Sequence, residues 1–251
     1  MKQILLILVI LFCHNYSLEA AMSNEKALSL FVEGNLAYRE GRYEEAVAKY
    51  EEIVSSGKES GNLYYNLGNG YLKLNQVGKA ILNYERAKDL MPRDSDLNAN
   101  YKLALMERQG VSVSSRRPLW QRFIEALGDF CTINEIFGLA LLLGGLLALC
   151  HLCSLYGEWP RKIYMTLYTI MGGIFVLLAL IFILSLVVNN NQAVIIADAE
   201  AKFEPREEAT TYFDLKQGHK VRIIKPISEW YKIERPDGKK GWLLKDKLEE
   251  I

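Results

Sequence analysis

GNLAYREGRYEEAVAKY at residues 34–50 and GNGYLKLNQVGKAILNY at residues 68–84 decide the fold of the N-terminal part of this chain. Laid over each other, they align Gly34 with Gly68, Asn35 with Asn69, Ala46 with Ala80 and Tyr50 with Tyr84, each pair 34 residues apart. One offset shared by four residue types marks an internal repeat, and a period of that length fits two helices and their turns. Packing within such a unit assigns the roles. Gly34 and Gly68 let the second helix approach the first, Ala46 and Ala80 keep the contact thin, and Tyr50 and Tyr84 fill the space between helices. Pro92 ends the second unit. Its counterpart in the first is Lys58, where Ser55-Ser56-Gly57 supplies the break instead. Repeats over about 27–60 and 61–94, with a capping helix over about 94–108, make a domain of residues 22–110.

This spacing resembles the tetratricopeptide repeat. The resemblance implies an all-α array whose first helices line a concave groove for a protein partner. It places Asn35, Tyr38, Arg39, Asn62, Tyr65, Asn66, Asn69 and Lys73 in that groove. Asparagine amides suit an extended peptide, because they bond both N–H and C=O groups. Phe31 stands where a carboxylate-clamp lysine would begin, so capture of a free peptide C-terminus is not expected.

Upstream of the repeats, Lys2 precedes the apolar run Ile4–Phe12 and a small-residue exit at Ala20-Ala21. That order reads as a signal peptide over residues 1–21. Downstream, residues 135–156 and 163–188 are apolar stretches long enough to span a hydrocarbon core of ~30 Å. The six residues between them, 157–162, force an antiparallel hairpin, and Arg161 and Lys162 put that loop on the cytoplasmic side. Both ends of the hairpin then face the periplasm, consistent with a cleaved leader. Ala140, Gly144, Ala148 and the pair Gly172-Gly173 suit close packing of the two spans. Over the juxtamembrane stretch 111–134, Trp120, Phe123, Ile124 and Leu127 fall at helical spacing, as in a helix lying on a membrane surface.

From residue 192 the period changes to two. Residues 193–196, 220–224, 230–234 and 241–244 read as short strands, with Asp237-Gly238 as a hairpin turn. Gly218, Glu229-Trp230 and Gly241-Trp242 give residues 192–251 a resemblance to the bacterial Src-homology-3-like domain, a small all-β barrel. Trp230 and Trp242 are candidate ligand aromatics there. One packing the core and the other lying on the surface is the plainer reading.

Residues that would carry chemistry are sparse. His219 is the one histidine outside the leader and the membrane stretches, which leaves no histidine pair for zinc and no Cys–His couple. Cys150-His151-Leu152-Cys153 is followed by Ser154, not the histidine of a haem attachment site. No enzyme activity, metal or cofactor is expected. The chain has 251 residues with 30 basic and 30 acidic side chains. Residues 22–117 hold 14 basic and 13 acidic groups, and residues 192–251 hold 12 of each. The balance within each module argues against nucleic acid as a partner.

The order of leader, repeats, two-helix hairpin and small barrel resembles the BatE family of bacterial aerotolerance operons. The resemblance covers nearly the whole chain. It implies a multidomain inner-membrane scaffold with two periplasmic modules, linked to oxidative-stress resistance. The implied partners are operon-encoded membrane proteins with von Willebrand factor A domains and other repeat proteins. The alternative is a membrane protein that binds peptidoglycan through its C-terminal barrel.

Overall fold

A computed structural model describes residues 24–108, 118–156, 161–189 and 191–251. The leader expected over 1–21 lies outside these residues, as do 157–160 of the loop.

The repeat region is five helices: α1 (24–39), α2 (Tyr43–Ser55), α3 (Gly61–Lys73), α4 (Val77–Leu90) and α5 (Ser95–Glu107). Their packing follows from the aligned residues. A Cβ on Gly34 would lie 2.6 Å from Tyr50 Cε1, and one on Gly68 would lie 2.7 Å from Tyr84 Cδ1. Each glycine is therefore the slot for the tyrosine of the next helix. Ala46, Ala80 and Tyr84 are fully buried. Gly41 and Asn75, again 34 apart, both turn the chain in the left-handed region, at φ 78° and 58°. Ser60 caps α3 by accepting from Leu63 N–H at 3.1 Å, and Asp94 caps α5 by accepting from Leu97 N–H at 2.8 Å. Pro92 is buried in the turn before Asp94, and its carbonyl accepts from Asn98 Nδ2 at 3.0 Å.

The short helix α6 (Leu119–Gly128) leads into α7 (Ile133–Tyr156) and α8 (Arg161–Asn189). Within these, Ile133–Ser154 and Tyr164–Val188 are long and apolar enough to cross a membrane, and protein covers little of either. α7 approaches α8 at Gly144, where a Cβ would meet Phe175 at 3.3 Å. Gly172 and Gly173 have open space around them, so the expected close contact does not use that pair.

The C-terminal region is antiparallel: β1 (Gln192–Ile195), β2 (Ala199–Lys202), β3 (Thr211–Leu215), β4 (Lys220–Ile227), β5 (Trp230–Glu234), β6 (Lys240–Leu244) and β7 (Leu248–Glu250). The four strands read from the sequence are β1, β4, β5 and β6. The expected closed barrel is not what the hydrogen bonds describe. The order β3-β2-β6-β5-β4-β1-β7 runs from edge to edge without pairing β3 to β7. β7 is three residues long and turned to the helices instead. Arg86 of α4 donates to the Glu250 carbonyl at 2.5 Å and pairs with Glu249 at 3.6 Å. At the β5–β6 turn, Gly238 sits at φ 87° and its N–H donates to Arg235 C=O at 2.9 Å.

The two modules meet along α4 and β1. Ala193 and Ile195 point into the core of the sheet, while Val194 between them is buried in the core of the repeats. The apolar run of β1 thus has both faces covered. Two glycines mark the closest approach. A Cβ on Gly78 would stand 2.7 Å from the Ile195 carbonyl oxygen, and one on Gly218, at φ 79°, would stand 2.5 Å from Ile81 Cδ1. Gly78 N–H donates to Gln217 Oε1 at 3.2 Å, and Arg108 donates to Gly218 C=O at 3.3 Å.

Candidate partner-binding groove

On the face opposite this seam, α1 and α3 enclose a cavity of about 440 Å³ lined by Val32, Asn35, Tyr38, Arg39, Asn66 and Asn69, with Tyr50 of α2 beneath. Five of the eight groove residues read from the sequence come together here. Tyr65, next to Asn66 in sequence, does not line the cavity and is half-buried against Tyr84 with ring centroids 6.3 Å apart. Asn62 and Lys73 are exposed near the two ends of α3 and do not line this cavity.

The groove floor is a relay written twice. Asn35 Oδ1 accepts from Tyr50 Oη at 2.7 Å and from Asn66 Nδ2 at 2.9 Å. Asn69 Oδ1 accepts from Tyr84 Oη at 2.7 Å and from Asn100 Nδ2 at 2.9 Å. Asn100 Nδ2 also donates to Tyr65 Oη at 3.0 Å. Burial and the neighbouring Tyr38 hydroxyl push Tyr50 up to about 12, so it stays a neutral donor. Asn35 and Asn69 are therefore structural as well as groove-facing: each satisfies a buried tyrosine hydroxyl. Their Nδ2 groups have no partner among the described residues and can donate to a peptide carbonyl. Asn100 was not singled out from the sequence, although the signal was there: it stands 34 residues after Asn66.

A second cavity, about 560 Å³, opens where α4, α5, α6 and the sheet converge. Glu85 of α4 is buried there. It pairs with Lys220 of β4 at 2.9 Å and accepts a short hydrogen bond from Tyr101. Burial raises its pKa, but Lys220, Tyr101 and Lys88 outweigh that and hold it below the usual carboxylate range. Asp89, one turn on, keeps solvent contact at the rim. Even so, desolvation and the Glu85 carboxylate push it up to about 6.

In the sheet, Trp242 is buried, with Lys225 Nζ and Lys232 Nζ each 5.6 Å from its ring centroid. Trp230 is half-buried and lines a cavity of about 290 Å³ with Glu200, Lys202, Glu207 and Leu243. Among the described residues, no three His, Cys, Asp or Glu side chains group as metal ligands.

Paired helices stacked on an aromatic-and-amide groove define a helical-repeat interaction module. Residues 61–94 match the tetratricopeptide repeat family. No curated protein matches the chain.

Proposed function

We propose that this chain is a non-enzymatic membrane scaffold: α7 and α8 anchor it, and its repeat groove recruits a protein partner. The observation that carries the reading is the placement of the seam. The sheet docks on α4, the outer helix of the second repeat, and leaves the α1–α3 cavity open. It also packs Val194 and Ile196 against residues before the hairpin, which supports one compartment for both modules. With the leader-like start and the basic 157–162 loop, that compartment is the periplasm and the membrane is the bacterial inner one. The order of modules further favours a role in a complex linked to aerotolerance, with von Willebrand factor A membrane proteins and other repeat proteins as partners.

The test is site-specific photo-crosslinking in native membranes. A crosslinker at Val32 or Arg39 is expected to give one discrete protein adduct, absent when the probe is moved to exposed Ala48 on α2. Equal labelling at all three positions would refute the groove. A second reading rests on Trp230, whose cavity is open: the sheet module binds cell-wall polymer. The full chain in detergent would then pellet with purified peptidoglycan, and Trp230→Ala would abolish pelleting.

A further inference from the structure

α6 has its polarity inverted for a helix of a water-facing module. A helix packed on a soluble domain turns its apolar stripe inward and its polar stripe to solvent. Here Gln121 and Glu125 line the cavity beneath the sheet, beside Arg235 and Pro236. Arg122 and Asp129 line the cavity shared with Glu85 and Lys220. Ile124, Ala126 and Gly128 line that second cavity too, but every polar side chain of the helix, Gln121, Arg122 and Glu125, is on the side toward the modules. The other side is bare: Leu119 is 79% exposed, Trp120 45% and Phe123 59%. Phe130, between α6 and α7, is exposed as well.

α6 is also tied to the membrane helices. It packs on α8, and its one buried apolar residue, Ile124 at 5%, lines the cavity shared with Glu85 and Tyr101. Ion pairs from the repeat region hold the corner between α6 and α7. Lys88 of α4 meets Asp129 at 2.6 Å, and Arg93 meets Glu135 at 2.6 Å while donating to the Phe130 carbonyl at 2.7 Å.

We infer that α6 is a foot: its Leu119, Trp120 and Phe123 face is seated among the acyl chains and headgroups of the bilayer, and its polar face carries both modules. The inference rests on α7 and α8 spanning that bilayer. The occupant follows from continuity, since the bare face begins where the apolar spans end. An aromatic and leucine face with polar groups behind it is the composition that lies in a membrane interface. A rigid foot sets the height and tilt of the groove above the lipid.

Spin-label accessibility of the full chain in phosphatidylethanolamine–phosphatidylglycerol vesicles tests this, with Cys13, Cys131, Cys150 and Cys153 replaced by serine. Labels go on Phe123→Cys, Gln121→Cys and, within α8, Leu177→Cys. The expected result is a ratio of oxygen to nickel-chelate collisions several-fold higher at 123 than at 121. Equal nickel access at 123 and 121, with 177 still oxygen-rich, would overturn the foot and leave the membrane anchor standing. Nickel access at 177 would overturn the anchor and the foot together. A label at 123 shielded from both reagents, and released on diluting protein with lipid, would show a second copy of the chain there and also overturn the inference.

Discussion

Replacing Gly218 with alanine should open the seam between the modules, and replacing Gly238 should not. Both glycines lie in turns of the sheet module in the left-handed region, at φ 79° and 87°. Alanine there costs about 1–2 kcal/mol at either site. The surroundings differ. A Cβ at 238 meets nothing within 4 Å, whereas one at 218 meets Ile81 Cδ1 at 2.5 Å and Arg108 Cδ at 3.1 Å. Ile81 is fully buried in the repeat core and has no room to retreat. Overpacking of this kind adds about 1–3 kcal/mol. Relief comes from separating α4 from the β3–β4 turn, so that increment falls on local opening, not on the sheet. At about 1.4 kcal/mol per factor of ten, the seam should open roughly 5- to 150-fold more often in Gly218→Ala than in Gly238→Ala. Hydrogen exchange of the full chain in detergent reads this directly. The first turn of α4, where Gly78 N–H donates to Gln217, should lose protection in the 218 variant alone. Equal protection of residues 77–84 in both variants would refute the seam.

Asn69→Ala should strand the buried Tyr84 hydroxyl and lower repeat stability by about 1–3 kcal/mol, while Arg39→Ala stays within about 0.5 kcal/mol, as thermal melting by circular dichroism can check. Trp242→Ala should cost about 3–5 kcal/mol and half-buried Trp230→Ala clearly less, read by the same melts. The seam should tighten as pH falls from 7 to 5. Asp89 has its folded value raised to about 6, so its ionised form is disfavoured in the fold and protonation relieves that. Glu85, held low by Lys220, stays charged over this window and loses its contribution only below the usual carboxylate range. Exchange protection at residues 77–84 should therefore rise between pH 7 and 5, and Asp89→Asn should flatten the rise; a rise unchanged in the variant would refute the assignment.

The repeats were legible because their packing is local and periodic. The 34-residue offset ties Gly34 to Gly68 and Tyr50 to Tyr84, and within each repeat the glycine meets its tyrosine across one turn. The groove was legible less fully. Spacing places Asn35 and Asn69 on the first helices, but only coordinates reveal that both also hold a core tyrosine, which makes them poor positions for a clean test of binding. In the sheet, β1, β4, β5 and β6 announce themselves by alternation or by an apolar run. β2 and β3 did not, because the charged 203–210 segment between them, rich in Glu, masks the short alternation of Phe213 and Leu215. Closure of the sheet was inferred from resemblance and not from strand residues. β7, three residues beside Arg86, turns to the helices where closure needs it to reach β3. The seam joins residues more than a hundred positions apart, such as Gly78 and Gln217, and no periodicity reports that. One clue was present: four consecutive apolar residues, 193–196, are more than a strand with one wet face can use.

The seam constrains the threading of the chain and the behaviour of its groove together. Modules that share buried backbone contacts occupy one compartment, so the segment between residues 108 and 191 must cross any bilayer an even number of times. Two apolar helices meet that condition; a single crossing, with one helix lying elsewhere, would tear Val194 out of the repeat core. The same seam divides the second repeat between two tasks. Its α3 contributes Asn66 and Asn69 to the groove, and its α4 contributes Gly78 and Glu85 to the sheet. The Gly68–Tyr84 slot couples those helices rigidly. Lys220 and Gly218 therefore contact the same helix, α4, whose Tyr84 donates to the groove residue Asn69. In the proposed scaffold, the sheet module would set the angle at which the groove is presented to a partner.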